Sequence, residues 1–166
     1  MRYPRILSLT ILLVLLTAST ASSITASPAR GDSTLKTGKN PPGKVLIVIE
    51  HAVTDTVVDI GPAGDSLGDL LAFGNPIFDA DNTQEVGRDQ GYCVRTNVGE
   101  SWECNLTVIL DQGSITVEGP FYDDLRDSQF AITGGTGAYG NSRGEMTLHA
   151  RDEAGTEFDF VFHIIG

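Results

Sequence analysis

The chain reads as an all-β protein, and three observations predict it. Short segments alternate apolar and polar side chains with a period of two, turns rich in Gly, Asp and Asn separate them, and no stretch holds a helical period over three turns. Many short strands joined by tight hairpins fit an antiparallel sandwich or an up-and-down barrel, and the alternation alone does not choose between the two.

Taken in order, the chain begins with the basic segment Met1-Arg2-Tyr3-Pro4-Arg5, an apolar run from Ile6 to Leu16, and small residues from Thr17 to Ser23. The run is too short to span a bilayer, and with these flanks it predicts a secretory signal peptide over residues 1–21, hence an extracellular protein with no stable membrane insertion. Residues 22–43 are Ser, Thr, Pro, Gly and Lys with almost no large apolar side chain. Such a segment buries too little surface to offset the entropy of ordering it, so it is expected to be a flexible linker. Residues 44–166 then form one domain, with no internal repeat.

Within that domain the alternation is clearest at Ser101–Asp111, where Trp102, Cys104, Leu106, Val108 and Leu110 share one face. Similar signals mark Lys44–His51, Ser114–Phe121, Gln129–Thr133, Met146–Arg151 and Phe158–Ile165. In the first of these Val45, Ile47 and Ile49 face one way and Leu46 and Val48 the other, so both faces are largely apolar; Phe158–Ile165 repeats the pattern. A strand with two apolar faces is usually covered on both sides, which predicts an oligomer.

The 22 acidic and 11 basic residues give a formal net charge of −11, and loss of Arg2 and Arg5 with the leader takes it to about −13. Nucleic acid and anionic membranes are thereby excluded as partners. Cys93 and Cys104 flank a turn at Asn97-Val98-Gly99-Glu100, which sets them opposite each other across a hairpin and predicts a disulfide in an exported protein. Two thiols and the scattered His51, His149 and His163 do not make a metal site, so no metal is expected. Gly134-Gly135-Thr136-Gly137 lacks the following Lys and the strand-then-helix flanks of a phosphate loop, and reads instead as a tight turn. Asn105-Leu106-Thr107 is a glycosylation sequon in mid-strand.

Two longer segments carry a resemblance. Ser66-Leu67-Gly68-Asp69-Leu70 runs on to Val86-Gly87-Arg88-Asp89-Gln90-Gly91-Tyr92-Cys93, and Gly134-Gly135-Thr136-Gly137-Ala138-Tyr139-Gly140-Asn141-Ser142-Arg143-Gly144 follows. In this order they resemble the allene oxide cyclase and dirigent superfamily over residues 44–166. The first segment, with Phe73, Asn75, Cys93 and Gly119-Pro120-Phe121, is similar to plant allene oxide cyclases; Val86-Gly87-Arg88 with Gln90-Gly91, Gly135-Thr136-Gly137 and Arg143-Gly144 are closer to dirigent proteins. The resemblance selects the barrel, of eight antiparallel strands, and implies a homotrimer without a cofactor, acting on an apolar or aromatic small molecule.

It also implies a site. Glu50 ends the apolar run Val45–Ile49 and matches the glutamate that the cyclases place at the foot of their cavity, where lost hydration would raise its pKa and suit it to acid–base work. Phe73, Asn75, Cys93 and Phe121 match ligand-contacting positions, Cys93 as a bridged sulfur; Tyr92 and Tyr139 are further candidate lining residues. Ala52 stands where the cyclases carry a water-holding asparagine, and Val53–Val58 lacks their serine-proline pair. Asp123, Asp124, Arg126 and Asp127 fall where dirigent proteins carry a pocket aspartate and arginine, although a charge run of this kind is more often a solvated loop. The expected activity is cyclisation or stereoselective coupling of a reactive apolar molecule; a non-catalytic carrier and a solidly packed structural barrel are the alternatives.

Overall fold

Wherever the alternation is strong, the chain is strand. The computed structural model describes residues 43–166; the expected leader and the linker up to residue 42 lie outside the described residues. The strands are β1 (Lys44–His51), β2 (Thr56–Val58), β3 (Leu70–Phe73), β4 (Pro76–Phe78), β5 (Glu85–Asn97), β6 (Ser101–Leu110), β7 (Gly113–Tyr122), β8 (Ser128–Gly135), β9 (Arg143–Ala150) and β10 (Glu157–Ile165). A single 3-10 turn, Gly137–Tyr139, is the one helical element among the described residues.

All pairings are antiparallel, and the ring β1–β4–β5–β6–β7–β8–β9–β10 closes on itself where β10 pairs with β1. The result is the eight-stranded barrel, with β3 and β2 extending it beyond β4 along β5. Closure leaves no long open edge, which answers the liability that a flat ten-strand sheet would carry.

Two neighbouring walls of the barrel are broken at the same level. Residues 52–55 separate β1 from β2, and Gly74-Asn75 separates β3 from β4. The long strand β5 spans the second break, pairing with β3 through residues 91–94 and with β4 through residues 85–88. Gly91 sits opposite Leu106 and has to be glycine: a Cβ there would lie 2.7 Å from the Phe73 ring and 2.6 Å from the Asn105 carbonyl oxygen.

The inward side chains divide the interior into two zones. Toward one end Val108, Ile115, Val117, Met146 and Phe162 are fully buried against one another, a solid core of the usual kind. Toward the other end the packing loosens into a cavity floored by Leu106, Phe130, Leu148 and Phe160. Beside this end Arg95 is buried. Its guanidinium lies 2.6 Å from Asp65, donates to both oxygens of Asp123 at 2.8 Å, and stacks 3.9 Å above the Trp102 ring. Trp102 Nε1 donates to the same Asp123. Asp65 also accepts from the Gly99 amide, so this cluster fastens the segment between β2 and β3 to the β5–β6 hairpin.

Cys93 and Cys104 are direct cross-strand partners and form the expected disulfide. The bridge spans 11 residues, a loop for which chain-entropy arguments give roughly 3 kcal/mol. Replacing both cysteines by serine is expected to lower unfolding stability by about that amount, read as a drop in the denaturant midpoint together with a rise in m-value as the unfolded chain loses its cross-link.

Candidate functional site

Glu50 is the last inward residue of β1, and its carboxyl is 6% exposed. What it meets there comes from the two breaks in the wall. Asn75 is 1% exposed and uses its whole side chain. Its amide oxygen accepts from the Val53 and Thr54 amides and from the Thr54 hydroxyl at 2.9–3.0 Å. Its NH2 group donates to Glu50 Oε1 and to Asp55 Oδ1, each at 2.8 Å. A backbone that leaves the sheet exposes unpaired N–H groups, and Asn75 satisfies two of them while gripping the carboxyl.

A second carboxyl lies beneath. Asp89 of β5 is fully buried, and its Oδ1 accepts from the Asn75 backbone amide at 2.8 Å. Among the described residues no nitrogen or hydroxyl donor reaches its Oδ2, and the carboxyl of Glu50 lies within hydrogen-bonding reach. Two carboxylates so placed cannot both be ionised, so the pair holds a proton. Burial, the negative charge of Asp89 and the hydrogen bond to it hold the Glu50 pKa well above its ordinary value, and only the Asn75 amide pulls the other way. Burial also raises Asp89, but the hydrogen bonds it accepts from Glu50 and Asn75 favour its charged form. Both carboxyls are thus held above their ordinary pKa values, and the pair shares a proton across the contact between them.

Glu50 opens onto an apolar cavity. Its lining includes Phe73, Phe121, Phe158 and Phe160 and both sulfurs of the Cys93–Cys104 bridge, with Asp55 at the solvent side. Phe121 and Phe158 meet edge to face at 5.9 Å. Only about 30 Å³ of the cavity is wide enough to admit the centre of a water molecule, and Leu71, Phe73 and Phe121 in its lining are half-buried.

The structure thus brings Glu50, Phe73, Cys93 and Phe121 to one cavity. Asn75 stands behind Glu50, outside that lining, and acts on the carboxyl. Tyr92 points outward and is 53% exposed, and Tyr139 is buried far along the barrel under the Lys44 ammonium; neither lines the cavity. Of the charged segment, Asp123 is drawn into the Arg95 cluster, while Asp124 and Arg126 pair with each other in solvent. Arg88 donates to Gln90 on the exposed surface, and Arg143 donates to the Ser142 carbonyl. No group of metal-ligating side chains occurs among the described residues. Sequence reasoning missed Asp89. The signal was available: counting back in twos from Cys93, which faces Cys104, passes Gly91 and reaches Asp89 on the same inward face.

The family model described as allene oxide cyclase matches residues 52–151. The chain belongs to the allene oxide cyclase family. The match begins two residues after Glu50. Among solved structures, this allene oxide cyclase family member is similar to a pyocyanin demethylase, at 28% identity over 72% of this chain and 100% of that one, with a TM-score of 0.62. A pterocarpan synthase dirigent protein matches at 20% identity over 78% of this chain and all of its own, TM-score 0.61. The Diels-Alderase AbmU from Streptomyces koyangensis matches at 15% identity over 78% of this chain and 69% of its own, TM-score 0.54. The last two likenesses are of fold.

The raised Glu50 pKa fixes a pH dependence. The group binds its proton more tightly folded than unfolded, so its contribution to stability is complete below the unfolded carboxylate value and is lost as pH rises through the folded one. Glutamine keeps the Asn75 hydrogen bond, donates to Asp89 and never ionises. Glu50→Gln is expected to match the parent near pH 4 and to exceed it in Tm near pH 8. Thermal unfolding followed by circular dichroism at the two pH values checks it; a variant less stable than the parent at pH 8 contradicts the shared proton.

Proposed function

We propose that the barrel binds a reactive, apolar small molecule in the Glu50 cavity and directs its cyclisation or coupling, acting as a cofactor-free isomerase or cyclase. The observation that carries this reading is the buried Glu50–Asp89 carboxyl pair, with Glu50 opening onto a cavity lined by phenylalanine rings and the Cys93–Cys104 bridge. A buried carboxyl with a raised pKa remains a proton donor above the ordinary carboxylate range, and the second carboxyl beside it can take up or return that proton. The lining holds a flexible substrate folded with its reacting atoms close together, and ring faces stabilise positive charge that develops as bonds shift. Glu50 gives its proton to one atom of the substrate and regains one from another, so the composition of the molecule is unchanged.

Membership of the allene oxide cyclase family supports this reading, as does similarity to a pyocyanin demethylase, a protein named for acting on a small molecule. The leader-like residues 1–21 and the disulfide extend it to a protein exported to an oxidising compartment, with residues 22–43 as its tether. On the outer face of β1 and β10, Val45, Ile47 and Ile165 are 53%, 42% and 39% exposed. This strip is where we infer that copies pack into a homotrimer.

Native mass spectrometry of the mature protein from its own producer is the first experiment. A bound apolar compound, one per chain, gives the ligand class for turnover assays. Glu50→Gln is then expected to cut kcat by roughly 100- to 10,000-fold while binding survives. A parent protein that binds its ligand and never converts it is a carrier, and the catalytic reading fails.

A further inference from the structure

The charge balance of the cavity restricts what enters it. Glu50 and Asp55 line the cavity and Asp89 lies directly under Glu50, whereas among the described residues no Lys, Arg or His lines it. The buried guanidinium of Arg95 is already committed to Asp65 and Asp123. Even with one shared proton the Glu50–Asp89 pair carries a negative charge, and Asp55 adds another at the mouth. The remaining wall consists largely of aromatic rings, including Phe73, Phe121, Phe158 and Phe160, whose faces are the negative part of their quadrupoles.

An anionic ligand entering this cavity loses its water and finds three carboxyl groups with no cation to compensate. A neutral hydrocarbon gains only the burial of its surface. An apolar cation gains that burial, the ring faces and the charge of the Glu50–Asp89 pair together. We propose that the cavity takes an apolar organic cation, a compact or planar molecule bearing its positive charge on an alkylated nitrogen. A carboxylate-bearing substrate would have to leave that group outside the mouth. The inference rests on the reading of this cavity as the ligand site and specifies the charge of what it accepts.

Three isosteric one-ring probes test it: N-methylpyridinium, toluene and benzoate, titrated into 15N-labelled mature protein by NMR. Shifts at the backbone amides of Leu106 and Phe160, on the cavity floor, report occupancy of the cavity itself. The expected order is the cation first, bound at least about tenfold more tightly than toluene, with no saturable shift from benzoate. In the neutralised double variant Glu50→Gln, Asp89→Asn the cation is expected to fall to the affinity of toluene. If the double variant does not fold, Asp55→Asn, which removes the charge at the mouth, is expected to weaken the cation in the same direction and to leave toluene unchanged. High salt distinguishes binding to the acidic surface, which screening abolishes, from binding inside, which it weakens little.

Toluene or benzoate binding as tightly as the cation, or a cation affinity untouched by neutralising the dyad, overturns the proposal and leaves the cavity as a ligand site. Failure of all three probes to shift the floor residues removes the cavity reading together with it.

Discussion

One side chain amide holds this site together. Asn75 occupies the break between β3 and β4 and caps the backbone amides exposed by the break between β1 and β2. Without it the Val53 and Thr54 amides at these adjacent gaps would have no hydrogen-bond partner within the chain. Because the amide oxygen is saturated by the chain, only the NH2 group is left for function. It is shared between a buried carboxyl and an exposed one, Glu50 and Asp55. The network answers the absence of the water-holding asparagine and serine-proline pair: with Ala52 and Thr54 in this region, the polar groups around Asn75 are satisfied by protein atoms.

The same economy places Asp89. Gly91 lets β5 and β6 pass close to the Phe73 ring, and two residues before it on the same face Asp89 reaches the Asn75 backbone amide and the Glu50 carboxyl. The pair is a local conflict in folding terms, since two carboxyls in an apolar interior destabilise the native state unless a proton is held there. Conflicts of this kind are tolerated where they do chemistry. The solid half of the barrel, with Ile115, Val117, Met146 and Phe162, and the Arg95 cluster beside the mouth supply the stability against which the conflict stands.

The strands that the sequence made legible are those with apolar inward faces: β1, β6, β7, β8, β9 and β10. The longest strand, β5, gave no such signal because its inward residues include Asp89, Gly91 and Arg95. Its interior is polar for local reasons, one carboxyl serving the Glu50 pair and one guanidinium serving Asp65 and Asp123, and no periodicity scan anticipates partners that distant segments provide. The short β2, β3 and β4 were hidden by the interruptions that create the site. Glu50 was legible because a carboxylate closing an apolar run is conspicuous. Phe73, Cys93 and Phe121 were legible through family likeness, and Asn75 was recognised by position but not by its task.

The packing of the far half of the barrel has a kinetic consequence. Below Leu106 and Phe160 the interior is filled, so the cavity is a dead end whose opening lies past Asp55, Leu71, Phe73 and Phe121. Whatever enters leaves by the same door. If the cavity converts a ligand as proposed, reactant and product would contend for one passage, the aromatic side chains that yield on entry would have to yield again on exit, and departure would be only as fast as that passage reopens.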